Sequence, residues 1–230
     1  MKLKKLVAIT LSAVMCMAAL TGCGGKSDSA KKTAKVIEVD LTDEQYAFGV
    51  DKDQPDLLKE VNQFVKDMKS DGTFDEICNR YFGDGTPVPV KSAAYDESKD
   101  QLVVATNAAF EPFEYMDGEN YVGIDMEIAK ALADKLGKEL VIQNMDFDAV
   151  CLSVGQHKCD VAMAGLTIKP DREEYVAFSD PYYSASQKLI TLSTDTEFDA
   201  CKTADDVNKI LEAKGSDLKL SLIHISEPTR

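Results

Sequence analysis

Hydrophobic and polar positions change period several times along this chain, and each change predicts an element. Leu57, Leu58, Val61, Phe64, Val65 and Met68 fall three and four residues apart within PDLLKEVNQFVKDMKSDG, the spacing of one helix face. Pro55 stands early in that helix and Gly72 beyond its end. TFDEICNRYFG predicts a second helix, with Thr73 and Glu76 at capping-box spacing and Gly83 as its stop. Ahead of both, KVIEV and YAFGV read as short strands. From Gln101 the pattern alternates. QLVVATN is a continuous apolar run and predicts a buried strand. GIDMEIAKALADKLG predicts a helix striped by Ile124, Ile128, Leu132 and Leu136, with Asp125 at its cap and Gly137 at its stop. KELVIQN predicts a second strand, DAVCLSVGQHK a helix and CDVAMAG a third strand. Strands alternating with helices predict an α/β fold with a parallel or mixed sheet flanked by helices. No internal repeat is evident.

Sheets of this kind hold ligands at the carboxyl ends of their strands. Asn107, Phe147 and the stretch Gly165–Thr167 fall at that edge. In AGLTIKPDREEY, Pro170 with Asp171, Glu173 and Glu174 reads as the first turn of a helix, whose dipole suits acids there. Arg172 does not suit it, and a fixed cation at that point is placed to receive an anion. The competing reading is a surface ion pair with its acidic neighbours, worth about 0–1 kcal/mol.

Composition narrows the setting. The chain has 230 residues, 44% hydrophobic and 29% charged, as in an ordinary globular protein, and its net charge of −14 disfavours nucleic acid as a partner. The start is a basic MKLKK and then the apolar run LVAITLSAVMCMAAL, about the length of a signal-peptide core and short for a membrane span. The run ends in LTGC, which resembles the lipobox of bacterial lipoproteins, with GGKSDSAKK after it. That resemblance implies cleavage before Cys23, lipid on Cys23 and a flexible tether to residue 34; the alternative is an ordinary signal peptide with an accidental cysteine. Cys78, Cys151, Cys159 and Cys201 remain, free and buried or paired. With no CxxC spacing and two histidines, no metal site or cofactor is expected.

Residues 101–193 resemble the family 3 extracellular solute-binding proteins, the amino-acid receptors of ABC importers. The matching words are LVVATNAAFEPFEYMDGENYVGIDMEIAKALADKLG, NMDFDAV, CDVAMAGLTIKPDREEYVAFSDPYY and QKLI. LTDEQYAFGVDKDQPDLLKEVNQFVKDMKSDGTFDEICNRYFG is similar to that family's closing segment, although here it comes first. The resemblance implies a periplasmic-binding-protein-like lobe 1 with lobe 2 mostly missing, and a circularly permuted chain; a decayed duplicate domain is the alternative. The expected organisation is a signal peptide over 1–22, a lipidated tether over 23–34, a permuted segment completing lobe 1 over 35–85 and a connector over 86–100. Lobe 1 follows over 101–193, the start of lobe 2 over 194–220, and a foreign tail resembling translated adapter sequence over 221–230.

By the same resemblance, Arg172 grips a ligand α-carboxylate, and Thr167 offers it a hydroxyl and a backbone N–H. Gly165 offers its carbonyl to the ligand ammonium. Phe110 and Phe147 wall the ligand side chain, while Phe113 belongs to the core. Asn107 stands where many relatives carry an acid, which fits a polar neutral amino acid. Core or turn roles compete for Thr167, Gly165, Phe110 and Phe147, and for Arg172 the competitor is the ion pair. Tyr182 and Tyr183 are placed near the hinge and outside the site. The implied protein is a lipid-anchored, extracytoplasmic, non-enzymatic receptor for a small L-amino acid, partnered by an ABC importer permease. The alternatives are a dehydratase-like or peptidoglycan-cleaving enzyme, with Glu111, Glu114 and His157 as the acid–base groups to consider, or a sensor module.

Overall fold

The computed structural model describes residues 33–215 and 218–220. Its elements in chain order are β1 (Ala34–Ile37), β2 (Glu44–Tyr46), β3 (Gly49–Asp51), α1 (Pro55–Ser70), α2 (Thr73–Phe82), β4 (Gln101–Thr106), β5 (Ala109–Phe110), β6 (Glu114–Asp117) and β7 (Asn120–Val122). They continue as α3 (Ile124–Leu136), β8 (Glu139–Asn144), α4 (Phe147–Gly155), β9 (Val161–Ala162), α5 (Pro170–Glu173), β10 (Val176–Phe178), β11 (Tyr183–Ala185), β12 (Leu189–Leu192) and α6 (Ala204–Ala213). The expected signal peptide, Cys23 with most of its tether, and the tail 221–230 lie outside the described residues. Among the described residues no helix is long and apolar enough to cross a membrane.

The central sheet has the order β10-β3-β9-β4-β8. β4 runs parallel to β8 and β9, while β3 runs antiparallel to both β9 and β10, so the sheet is mixed. Side chains of a strand alternate between faces, and β4 uses both. Leu102 and Val104 join the core beneath α1, α2 and α3, whereas Val103 and Ala105 join the core beneath α4. Burial on both faces is why QLVVATN has no polar alternation.

The first segment is built into this sheet. β3 fills the gap between β9 and β10, and Val61, Phe64, Val65 and Met68 of α1 are buried in the same core as Ile124, Ile128 and Leu132 of α3. A polar knot fastens the two parts. Glu127 of α3, 7% exposed, accepts from Arg80 Nε (2.7 Å), Tyr81 Oη (2.7 Å) and Val88 N (3.0 Å). At the amino end of the parallel strands, His157 offers one ring nitrogen to Asp51 (2.7 Å) and the other faces Asp53 (3.5 Å), a second staple on β3. Asp51 comes first among the causes that raise the imidazole's pKa.

Two short antiparallel ladders lead out of the sheet, β2 with β11 and β1 with β12. Beyond them a small separate core forms from Ile37, Val39, Phe198 and Val207, the last on α6.

Three local expectations change. The Thr73–Glu76 capping box does not form: the cap is Gly72 at φ 90°, and the Thr73 N–H goes to Asp71 Oδ1 (2.9 Å). Asp125 is not a cap, because Gly123 takes that place at φ 133°, where a Cβ would lie 2.1 Å from the Phe113 carbonyl oxygen. YAFGV is divided between β2 and β3 rather than forming one strand.

Removing the Glu127 carboxylate strands Arg80 and two further donors. Glu127→Ala is expected to cost about 3 kcal/mol in urea unfolding. A loss under about 1 kcal/mol would mean that α2 is not held to α3 by this knot.

Candidate ligand-binding site

The carboxyl ends of β4 and β8 are laced together by polar contacts. Met145 N donates to the Thr106 carbonyl (2.9 Å), and Ala108 N donates to Asn144 Oδ1 (2.9 Å). Asn107 belongs to this lacing, since its Nδ2 is spent on the Met145 carbonyl (2.8 Å). Its role is structural on that side, and its second N–H and its Oδ1 remain.

After β9 the chain turns at Gly165, φ 51°, and runs back along β2. Ala47 N donates to Leu166 O and Ile168 N to Gln45 O, each at 3.0 Å, flanking a Tyr46–Thr167 bridge. In an antiparallel ladder such a flanked pair directs its own N–H and C=O away from the partner strand. The Thr167 carbonyl accepts from Arg172 Nη1 (2.9 Å), and its N–H has no acceptor among the described residues. The expected hydroxyl donation by Thr167 is pre-empted, because Oγ1 donates to Glu44 Oε2 (3.0 Å). Glu44 also accepts from Thr42 Oγ1 (3.0 Å) and Gln187 Nε2 (2.8 Å).

Arg172 is half-buried and lies with Cζ 5.0 Å from the centre of the Phe147 ring. Such a cation–π contact contributes about 0.5–1 kcal/mol where solvent reaches it. Among the described residues its guanidinium has no carboxylate partner, so the ion pair with Asp171, Glu173 or Glu174 does not form. The helix expected there is a single turn, α5, too short for a useful macrodipole. The groups at this edge with the chemistry to receive an anion are therefore the guanidinium and the Thr167 N–H.

Gly165 and Phe110 make the other half. A Cβ on Gly165 would stand 2.7 Å from Phe110 Cε1, so the ring occupies the space that glycine leaves open. Phe110 stacks on Phe113 (centroids 5.3 Å, 20°), and Tyr46 meets both rings edge-on at 6.5 and 5.3 Å. The Gly165 carbonyl accepts nothing among the described residues, while its N–H donates to Asp125 Oδ2 (2.9 Å). The predicted residues thus form two clusters, Arg172–Phe147–Thr167 and Gly165–Phe110, joined through Tyr46 and the loop backbone. The arrangement is an open shelf. A crevice of about 310 Å³ around Met68 and Lys135 is lined by none of these residues.

Sequence reasoning missed Glu44, Tyr46, Asp125 and Tyr182. Asp125 is fully buried and also accepts from Tyr182 Oη (2.5 Å). Burial pushes its pKa up to about 6, and the Gly165 and Tyr182 bonds pull partly against that. Glu114 beside it is fully buried, with neither oxygen hydrogen-bonded among the described residues; burial first, then the charge of Asp125, holds it well above the usual carboxylate range.

The model of the bacterial extracellular solute-binding proteins, family 3, matches residues 8–84 and 102–224. Arginine-binding extracellular protein ArtP of Bacillus subtilis is 33% identical over 132 residues, covering 57% of this chain and 48% of that protein. Cyclohexadienyl dehydratase of Pseudomonas aeruginosa is 29% identical over 130 residues, covering 55% and 48%. Among solved structures, the arginine-bound form of domain 1 from TmArgBP aligns at 35% identity with a TM-score of 0.36, covering 52% of this chain and 99% of that one. The chain spans about half the length of the curated relatives it matches.

Gly165→Ala forces a left-handed backbone on alanine and a methyl into the Phe110 ring. It is expected to cost about 1–3 kcal/mol in urea unfolding. An unchanged midpoint would show that the turn tolerates a side chain and that Phe110 does not depend on it.

Proposed function

This chain belongs to the bacterial extracellular solute-binding proteins, family 3, and on that premise we propose that it is a receptor for an L-amino acid rather than an enzyme. The ligand α-carboxylate is received by Arg172 and the Thr167 N–H, its ammonium by the Gly165 carbonyl, and its side chain lies against Phe147 and Phe110. The observation that carries this reading is the half-buried guanidinium of Arg172, poised over an aromatic ring and without a carboxylate partner among the described residues. A guanidinium receives a carboxylate through two parallel N–H bonds, the pairing that this geometry leaves open.

The ligand side chain is read from two sources. Asn107 spends one Nδ2 N–H on Met145, which leaves one N–H and Oδ1, suited to a polar side chain. Relatives such as ArtP are arginine-binding by name. A cationic amino acid therefore stands first, with a polar neutral one such as glutamine second.

The same proposal includes a lipid anchor at Cys23 and delivery to an ABC importer permease. It also takes residues 35–85 as the closing segment of lobe 1 placed first in the chain. β3 seated between β9 and β10, and β1 paired with β12, support that order. With one lobe the shelf is half a pocket, and binding is weak until a second lobe closes over it. The dehydratase relative keeps an enzyme as the second reading. Such an enzyme needs an acid or base facing the ligand. Glu114 is walled off from solvent, and Glu111 is exposed with nothing holding it.

L-arginine at ~100 times its dissociation constant is expected to raise unfolding stability by about 2.7 kcal/mol. Arg172→Ala should abolish that gain while changing ligand-free stability by less than about 1 kcal/mol. Ligand stabilisation that survives the substitution removes Arg172 from the site.

A further inference from the structure

We infer that Asp125 is a positioning residue for ligand binding: its carboxylate ties the Gly165 turn of the ligand loop to Tyr182 at the root of the β2–β11 ladder. The inference rests on the reading of the Arg172 shelf as the ligand site and adds a residue that does not touch ligand.

The geometry assigns one carboxylate oxygen to each tie. Oδ2 accepts the Gly165 N–H at 2.9 Å, and Oδ1 accepts the Tyr182 hydroxyl at 2.5 Å. Gly165 is the point at which the chain turns after β9, so fixing its N–H also fixes the peptide plane on which the ligand loop turns. Tyr182 immediately precedes β11, donates its N–H to the Tyr46 carbonyl and stacks on Phe48 (centroids 4.3 Å, 11°). Tyr46 in turn bridges Thr167. One buried side chain on α3 therefore holds the start of the ligand loop and the strand pair leading out of the sheet.

Only the ionised group accepts at both oxygens with full strength. Protonation turns one acceptor into a donor and takes the charge from the other bond. The titratable groups around Asp125 are Glu114 on β6, Tyr46 on β2, Cys78 on α2 and Tyr182. Burial keeps Tyr46, Cys78 and Tyr182 protonated at neutral pH and holds Glu114 well above the usual carboxylate range. Asp125 is the member whose change falls near pH 6. An aspartate in the unfolded chain titrates near 3.9, so the folded chain holds this proton more tightly. Stability from this group therefore falls as pH rises from about 4 to about 6. Ionised Asp125 weakens the fold at neutral pH, and a charge kept at the expense of stability points to a task in the site.

The test measures L-arginine affinity of the chain from pH 7.5 to pH 5, with the Gly165 amide followed by NMR. Wild type is expected to lose about tenfold in affinity over that range, with the Gly165 amide shifting about the same midpoint. Asp125→Asn should bind about tenfold more weakly at pH 7.5, show no acid-dependent loss, and melt at or above the wild-type temperature. Glu114→Gln should keep the acid-dependent loss. If Asp125→Asn does not fold, Tyr182→Phe serves instead and should move the loss to higher pH, because it removes a bond that favours the carboxylate. A flat wild-type profile overturns the inference. So does an affinity loss in Asp125→Asn that merely follows a lowered melting temperature, an acid-dependent loss abolished by Glu114→Gln, or an unmoved midpoint in Tyr182→Phe. Absence of L-arginine binding at every pH, with the Gly165 amide still titrating, overturns the ligand reading and this inference with it, whereas pH-independent binding overturns this inference alone.

Discussion

β3 is three residues long, and the fold closes around it. Gly49–Asp51 pairs with β9 on one side and β10 on the other, so its backbone groups join two strands that otherwise do not touch. Room for this is tight. A Cβ at Gly49 would come within 2.8 Å of the Val176 side chain, so glycine lets the β10 strand approach. Val50, fully buried, packs on the α1 side of the sheet. Taking this strand away would open a buried edge on β9 and leave β10 unpaired, and buried backbone groups without partners are costly.

The proposed ligand shelf inherits that constraint. The loop from Leu166 to Ile168 pairs with Gln45–Ala47, the residues that lead into β3. The direction in which Thr167 presents its N–H and carbonyl is therefore set by a strand that lies 120 residues away in sequence. Phe48 and Tyr46 also supply the rings against which Tyr182, Phe110 and Phe113 pack. A segment that reads as an appendage to the βαβ series is part of the floor of the site.

The helices were legible because their apolar faces repeat at helical spacing: α1 and α3 bury most of the residues that the spacing selects, with Leu57, Leu58 and Leu136 half-buried against the same core. Arg172 stood out in the sequence because a cation stands among acids just inside a helix start. Glu44 and Tyr46 did not, since their meaning comes from the pairing of Glu44–Tyr46 with Tyr183–Ala185 and from the Tyr46 bridge to Thr167, which no local pattern announces. Asp125 carried a usable signal that the cap reading hid. It precedes Ile128 by three residues and Leu132 by seven, in register with the core stripe. An acid on that face is a buried polar group that must find donors, and Gly165 and Tyr182 are those donors.

The acidity of the chain makes the setting of Arg172 more informative. With 40 acidic residues against 26 basic ones, an arginine finds a carboxylate easily, and Lys59, Lys130, Lys135 and Lys138 have each done so. Asp171, Glu173 and Glu174 flank Arg172 directly, yet its guanidinium turns instead to a carbonyl and an aromatic face. The single turn of α5 explains how. Neighbours one and two positions away project to other sides of a helix, and the turn ends before a residue four positions on could reach back. A charge kept clear of carboxylates among the described residues, half out of water, is the feature on which the proposed capture of a ligand carboxylate rests.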